Sequence, residues 1–357
     1  MGFGSPTFSV RCVALAQADE AQRIDAFVRS HPCATPFHLA GWSRAVAKGC
    51  GQKSHYLLAE DGAGMIAGVL PLTEVHSPLF GRALVSSGFA VGGGILAETS
   101  GAAQQLTEAA VDLAARLSCP TLELRGGALP GLGSGWHHDD TTYVGFVRDL
   151  ATDDEAELLA IPRKQRAEVR KSLAFDLQVE VGSTQADRDA HYAVYATSVR
   201  NLGTPVFPKS LFAAVLEEFG DDADILTVRH EGKAIASVLS VYFGGSVMPY
   251  WGGGTADART WRANDLMYFA LMGHARQKGC TRFDFGRSKA GTGAAAFKHN
   301  WGFSGVPLPY AKHVAAGEAM REINPLDPRY RLQVQLWQKL PLWAANRIGP
   351  LIARGLG

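Results

Sequence analysis

Residues 246–288 read SVMPYWGGGTADARTWRANDLMYFALMGHARQKGCTRFDFGRS and decide the architecture of the chain. An apolar run leads into a row of glycines, and the helical stretch that follows starts at Asn264 or Asp265 and stops at Gly279. The closing TRFDFGRS alternates apolar and polar residues in the way of a strand. A strand, a glycine-rich break, a helix and a second strand in this order form one α/β unit.

The same order occurs twice in the chain. Residues 225–243 form two apolar runs around Glu231-Gly232, and residues 56–75 do the same around Asp61-Gly62, so both halves begin with a hairpin pattern. In the first half a glycine-containing strand, a helix over 102–117 and the strand TLELRGG follow. We therefore predict two copies of one α/β unit, against the alternative that loose patterns match by chance.

The repeat predicts a domain boundary near Leu150, with a first domain over 1–150, a second over 151–318 and a C-terminal tail over 319–357. A length of 357 residues favours two domains over one core. The linker TDDEAELLAIPRKQRAEVRKSL separates the copies, and Asp153 and Asp154 are suited to cap one helix, as Pro162 is to begin the next.

Composition narrows the class of protein. With 46% hydrophobic and 19% charged residues, the chain has the composition of an ordinary globular protein. Its net charge of +1 argues against a surface that binds polyanions over the whole molecule. No run approaches the length of a membrane-spanning helix, and the first residues lack an apolar signal core. Five scattered cysteines without a CxxC pair indicate a reduced, cytoplasmic protein.

Several residues are candidates for proton transfer. Asp284, at the end of a strand, is a possible general base, or a structural carboxylate held by Arg287 or by backbone amides. Tyr250 and His299 are further candidates, although both residue types are common at half-buried structural positions. The stretch WHHDD, 136–140, lacks the spacing of a metal site, and we predict no bound metal.

Cations cluster in two places. The helical spacing of Arg163, Arg166 and Arg170 puts them on one face, which could hold a phosphorylated donor or a lipid headgroup, or could simply be solvated. The glycine-rich break before the helix that starts near Asn264 offers free backbone N–H groups to a phosphate or carbonyl, although glycines also simply make turns.

The tail after Asp327 contains no acidic residue. An apolar stripe with basic residues around it fits a helix that lies on an anionic membrane surface, or else a helix packed on the protein core. The stripe consists of Leu332, Leu336, Leu340 and Trp343, and the basic residues are Arg331, Lys339, Arg347 and Arg354.

The motifs GTPVFPKSLF, YWGGGT, ANDLMYFALM, FDFGRSKAGTGAAAFKHNWGF and LWQKLPLWAANRIGP resemble those of FemAB-like, exosortase-associated proteins of the Fem/GNAT acyltransferase superfamily. The resemblance covers most of the chain and is strongest over 203–310. It implies an α/β fold of tandem GNAT-like domains, each a mixed twisted sheet flanked by helices, here followed by an amphipathic tail. It also implies transfer of an acyl or aminoacyl group to an amine.

The resemblance assigns roles residue by residue. FKHNWGF matches the Fem segment FK–FG, which places Lys298 at the active centre beside Phe297. A cation there would stabilise an oxyanion or bind a carboxylate, whereas an isolated lysine would simply be solvated. FDFG would be the fifth strand of the second GNAT unit, with Arg287 and Lys289 available to the donor.

One departure concerns the GNAT pyrophosphate loop, R/Q-x-x-G-x-G/A. This chain has RTWRAN, with Arg262 in place of the first glycine, which puts ordinary CoA binding by the loop in doubt. Arg259 and Arg262 could bind phosphate through their side chains instead, or could belong to an exposed turn.

The leading hypothesis is an N-acyltransferase without a permanently bound cofactor. Its donor would be acyl-CoA or an acyl carrier protein, and its acceptor an amine of a cell-envelope lipid or glycan, most specifically a sphingoid amine that yields a ceramide. The alternatives are Fem-type transfer from aminoacyl-tRNA to a peptidoglycan precursor, which alone involves nucleic acid, and a non-catalytic GNAT pair. We expect a cytoplasmic protein that can associate with the inner face of the membrane.

Overall fold

The computed structural model describes residues 8–129, 131, 133, 135–318 and 331–357. These residues form two compact units. The first contains the described residues of 1–140, 308–324 and 352–357, and the second contains those of 141–307 and 325–351.

Strands and helices alternate in both units. The strands are Ser9–Val13 (β1), Lys53–Glu60 (β2), Ile66–Ser77 (β3), Gly81–Ser86 (β4), Leu96–Ala97 (β5), Thr121–Arg125 (β6), Trp136–Asp139 (β7), Tyr143–Asp149 (β8), Gln178–Gly182 (β9), Ala223–His230 (β10), Lys233–Phe243 (β11), Ser246–Gly254 (β12), Arg282–Lys289 (β13), Gly305–Pro307 (β14) and Tyr310–Val314 (β15). The α-helices are Ala18–Ser30 (α1), Ala40–Cys50 (α2), Ser100–Arg116 (α3), Asp154–Ala160 (α4), Arg163–Leu173 (α5), Gln185–Asn201 (α6), Lys209–Phe219 (α7), Ala256–Thr260 (α8), Ala263–Gln277 (α9), Gly293–Asn300 (α10), Arg331–Lys339 (α11) and Leu342–Ala353 (α12).

The two sheets have the same strand order. The first runs β1-β2-β3-β4-β6-β15-β7, with β5 beside β3, and the second runs β9-β10-β11-β12-β13-β8-β14. Each is antiparallel except at one central pair, β4–β6 in the first sheet and β12–β13 in the second. The predicted repeat of one mixed α/β unit is therefore confirmed.

The last strand of each sequence copy joins the sheet of the other copy, which the sequence did not indicate. β8 follows the first copy in the chain but lies between β13 and β14, and β15 follows the second copy but lies between β6 and β7. The compact units consequently divide at 140 and 307, whereas the repeat predicted 150 and 318. The reason is that inter-strand hydrogen bonds, rather than chain order, decide to which sheet a strand belongs.

Local signals determine where the helices begin. Asp153 caps α4 by accepting the N–H of Ala156 at 2.8 Å, and Pro162 stands directly before α5. α9 ends before Gly279 as predicted, but it begins at Ala263 after Arg262, so neither Asn264 nor Asp265 caps it. The core of the second unit packs α9 and α10 on the sheet through a cluster of rings, of which Phe283 and Trp301 are fully buried. This packing fixes the position of α10 relative to β13.

The C-terminal tail is not a separate element of the fold. Residues 319–330 of the predicted tail lie outside the described residues. α11 packs on the end of α6, where Gln338 donates to the Asn201 carbonyl at 3.2 Å, and residues 352–357 belong to the first unit. In the part of the chain that the structure describes, no helix has the length and apolarity needed to cross a membrane.

Candidate active site

The two parallel strands at the centre of the second sheet part soon after they begin. β12 and β13 pair only at Ser246↔Arg282 and Val247↔Phe283, although they continue to Gly254 and Lys289. Each strand is irregular beyond that point, because the register of β12 shifts around Tyr250 and that of β13 shifts between Asp284 and Arg287. The parting leaves backbone N–H and C=O groups of both strands without their usual partner strand.

The glycines that the sequence predicts as a break between a strand and a helix lie inside β12. A Cβ at Gly253 would come 2.5 Å from the Ser198 hydroxyl oxygen, and a Cβ at Gly254 would come 2.6 Å from the Asn264 side-chain oxygen. The glycines are therefore required because α6 and the start of α9 approach the strand closely. They do not form a phosphate-binding loop.

A groove opens at this end of β12. It consists of two adjoining depressions of about 230 and 390 Å³, which share Ser198, Gly254, Thr255 and Arg259. Tyr268 and Phe297 line the smaller depression, and Leu202 and Gln338 line the larger one.

The groove is rich in polar groups without partners. The Thr255 hydroxyl and the Asn264 side-chain oxygen are buried and have no hydrogen-bond partner in the structure. Among the described residues, the Ser198 and Tyr268 hydroxyls and the Arg259 guanidinium form no hydrogen bond or ion pair either. Because buried polar groups are normally paired, the unpaired oxygens of Thr255 and Asn264 are typical of a site that a ligand completes, whereas Arg259 is exposed.

Sequence reasoning identified only part of this groove. The sequence indicates Asn264 only as the possible start of a helix, and it gives no indication of Ser198, Thr255 or Tyr268. No local motif distinguishes them, because α6, β12 and α9 bring them together from separate parts of the chain. The three successive glycines beside them were the available signal of close packing.

Lys298 is held by specific contacts instead of being a solvated surface lysine. Its ammonium donates to the Arg287 carbonyl at 2.9 Å and lies over the rings of Phe146 and Phe285, at 5.3 and 5.5 Å from their centroids. It does not line the groove, whereas the preceding Phe297 does. The Fem-like FK pair is therefore divided, with the ring toward the groove and the ammonium against β13.

Asp284 and Lys298 lie close enough to influence each other electrostatically. Burial lowers the pKa of Lys298 to about 8, an effect that Asp284 opposes and Arg287 adds to. Burial likewise raises the pKa of Asp284, against the effects of the Gly286 N–H, which its carboxylate accepts at 2.9 Å, and of Lys298. The pair is a carboxylate and an ammonium that are both less stable as ions than in water.

Arg287 and Lys289 share an aromatic neighbour. The guanidinium of Arg287 lies 4.4 Å and the ammonium of Lys289 6.0 Å from the ring centroid of Tyr143, on the exchanged strand β8. The carbonyl of Arg287 also accepts the hydrogen bond from Lys298, whereas Lys289 lies at the end of β13.

The two remaining proton-transfer candidates, Tyr250 and His299, each have contacts of their own. Tyr250 is half-buried at the irregular point of β12, where its ring packs edge-on against Trp251. The His299 ring nitrogen bonds to the Phe303 carbonyl at 3.0 Å and its ring packs on Phe146, which is a structural arrangement.

Arg262 has a structural role. Its backbone is in the left-handed region, at a φ of +53°, so the position still has the conformation that favours glycine. Its side chain pairs with Glu168 and bonds to the Arg259 carbonyl, which leaves little capacity for a phosphate. Arg259, by contrast, points its free cation into the groove.

The two candidate donor-binding arginines of α5, Arg166 and Arg170, also differ in their surroundings. Arg166 donates to the carbonyls of Ile161 and Leu159, both at 3.1 Å, and so closes the end of α4. Arg170 is exposed. The structure therefore brings Asp284, Lys298 and Arg287 together, puts Arg259 and Phe297 in the groove, and gives neither place to Arg166 or Arg170.

Comparison with known proteins identifies the domain. Residues 162–299 match the family model of the GNAT acetyltransferase domain, and this span includes α5 through most of α10. No curated protein sequence is detectably similar to the chain.

Solved structures show the same architecture. FemX superposes with a TM-score of 0.67 at 15% identity, over 93% of this chain and 100% of its own. The C-terminal domain of an Agrobacterium fabrum protein assigned as a lysylphosphatidylglycerol synthetase gives 0.57 at 14%, over 85% and 94%. A tandem GNAT protein from the clavulanic acid biosynthesis pathway gives 0.55 at 12%, over 87% and 100%. The chain is therefore an acyltransferase with the fold of tandem GNAT proteins.

Proposed function

We propose that this chain transfers an acyl group from a thioester donor, acyl-CoA or an acyl carrier protein, to the primary amine of a long-chain lipid and so forms an amide. The observation that carries the proposal is the parting of β12 and β13 beside a groove lined by unpartnered polar groups. Free backbone N–H groups can bind a thioester carbonyl there. The sphingoid amine that the motif resemblance indicates is the most specific acceptor of this class.

The groove supports a donor with a phosphorylated, amide-containing arm. Arg259 supplies an unpaired cation for a phosphate. Thr255 and Asn264 supply a hydroxyl and a carboxamide, which can pair with the amides of a pantetheine chain.

The reaction needs one proton acceptor and one site for negative charge. The amine nitrogen attacks the thioester carbon, the C–N bond forms, the C–S bond breaks, and the thiol leaves with the proton that nitrogen loses. Asp284, whose pKa burial raises, is our candidate to take that proton from nitrogen and pass it to the leaving thiolate. Lys298 is our candidate to stabilise the oxyanion, either directly or by holding the Arg287 backbone.

The test is product formation from purified components. The protein is incubated with a long-chain amine and a fatty acyl-CoA, and the amide is measured by mass spectrometry. Thr255→Val and Asn264→Leu should raise KM for the donor more than they lower kcat, and Asp284→Asn should lower kcat. Absence of the amide with every thioester donor tried would contradict the proposal.

A second candidate is aminoacyl transfer. The fold is shared with FemX and with a domain assigned to lysylphosphatidylglycerol synthesis, whose name implies an amino acid joined to a lipid. Inactivity with acyl-CoA together with activity on aminoacyl-tRNA would favour this reaction instead.

A further inference from the structure

The two C-terminal helices expose apolar side chains on their outer side. We call Leu332, Leu336, Trp343 and Leu351 the C-terminal apolar face, and their exposed fractions lie between 57% and 74%. The first two are one helical turn apart on α11, and Trp343 and Leu351 are two turns apart on α12.

The opposite sides of the same helices are already used for packing. Ala344 and Ala345 are buried, and Val334 of α11 lies so close to Gly203 that a Cβ there would be 2.4 Å from it. Ordinary docked helices turn their apolar side inward and a polar side outward. These helices have apolar residues on both sides, interspersed with glutamines on the outer side of α11, so the exposed apolar residues require their own explanation.

Basic residues accompany the face without acidic neighbours. Lys339 lies one turn after Leu336, and Arg347 lies one turn from both Trp343 and Leu351, so the charges share the outer side. Both are exposed, and neither forms an ion pair with a described residue. Both cations are therefore available to an anionic surface.

These properties fit an anionic bilayer better than a second copy of the chain. In a symmetric dimer the same patch meets itself, which would bring Lys339 and Arg347 of each copy toward like charges. At a membrane surface the cations meet anionic headgroups, leucine side chains enter the acyl boundary, and tryptophan occupies the interface.

The face lies on a helix that also borders the groove. Gln338, on the same helix as Leu336, lines the larger depression of the groove together with Arg259 and Leu202, and Leu202 is 68% exposed. We infer that the C-terminal apolar face docks on an anionic bilayer and that the long-chain amine reaches the active site from that membrane, while the groove holds the donor. The route of the amine rests on the proposed function, but the docking does not.

The test uses the whole protein and vesicles of phosphatidylcholine with or without phosphatidylglycerol. Wild type should sediment with the phosphatidylglycerol vesicles, less at high salt, and hardly with phosphatidylcholine alone. Lys339→Gln with Arg347→Gln should weaken binding about 25-fold, since each cation near such a surface contributes about fivefold. Leu336→Ser with Trp343→Ser should weaken it at least as much.

A matched control removes exposed apolar residues elsewhere. Met65→Ser with Leu79→Ser changes comparably exposed residues of the first unit and should bind like wild type, and thermal melts confirm that every variant is folded. Equal binding by all variants overturns the docking. So does a concentration-dependent dimer that the Leu336→Ser and Trp343→Ser changes dissociate without any vesicle binding.

Activity separates this inference from the proposed function. Amide formation from a short, water-soluble amine without vesicle binding would refute the docking and leave the acyl transfer intact. Vesicle binding without any amide would refute the transfer alone.

Discussion

At the scale of single residues, Lys298 is the sharpest test of the site. Because its ammonium bonds to a carbonyl and lies over two rings, Lys298→Ala should cost about 1–2 kcal/mol of folding free energy and should not leave stability untouched. Lys298→Met keeps the apolar stem and should lose less. If Lys298 stabilises the transition state, both variants lower kcat by about a hundredfold.

Lys278 provides the matched control for that experiment. It also donates to a carbonyl, that of Asp221 at 2.7 Å, and lies 4.2 Å from the ring centroid of Tyr242, but its acidic neighbour is Asp224 at 3.5 Å instead of Asp284. Lys278→Met should lower the melting temperature and retain kcat. Equal loss of activity in the two lysine variants would assign Lys298 a structural role only.

The lowered pKa of Lys298 predicts how stability depends on pH. In the folded protein it titrates at about 8 and in the unfolded chain near 10.5, so between these values the unfolded state binds more protons. The free energy of unfolding of wild type should therefore rise relative to Lys298→Met as pH increases from 8 to 10. Denaturant melts across this range measure the difference, and a constant difference would contradict the environment described for Lys298.

Residue roles were only partly predictable from sequence. The motif resemblance located Lys298 and Phe297, but it could not show that one lies against β13 and the other in the groove. The sequence indicates Arg262 as a candidate phosphate ligand, whereas in the structure its side chain pairs with Glu168. Such partners are distant in the chain, and local pattern carries no information about them.

At the scale of elements, the close approach of α6 to the glycines of β12 can be tested by substitution. Gly253→Ala would put a methyl group within 2.6 Å of both the Cβ and hydroxyl oxygen of Ser198, so α6 or the strand must move. We expect a loss of about 1–3 kcal/mol, the usual cost of overpacking. Gly62→Ala is the control, because a Cβ there meets nothing within 4 Å. Equal melting temperatures of the two variants would show that α6 does not approach the strand this closely.

The order of elements was predictable, whereas their final pairing was not. Hairpins around Asp61-Gly62 and Glu231-Gly232 and the helix after the glycines have local signals, and all occur where expected. The exchanged strands β8 and β15 resemble any other strand in composition, so the sequence could not indicate the sheet that each would join.

At the scale of the whole molecule, the last residues of the chain belong to the first unit. The buried Arg125 donates to the Gly357 carbonyl at 2.8 Å, and Gln52 donates to the Arg354 carbonyl at 2.7 Å. A tail predicted from composition as one amphipathic segment therefore divides between two roles, since its helices up to Leu351 pack in the second unit. Truncation before the tail would for this reason be a poor test of membrane binding.

Deletion of 352–357 should consequently destabilise the first unit specifically. It leaves donors of Arg125 and Gln52 without acceptors and removes the packing of Gly357 near Val75, a loss of about 2–4 kcal/mol. Hydrogen exchange should quicken in β3 and β6 and stay unchanged in β10 and β11. Arg354→Ala is the control, because it removes an exposed side chain and keeps the carbonyl that Gln52 binds. If the deletion left exchange in β3 and β6 as slow as in this control, the last residues would not be part of the first unit's core.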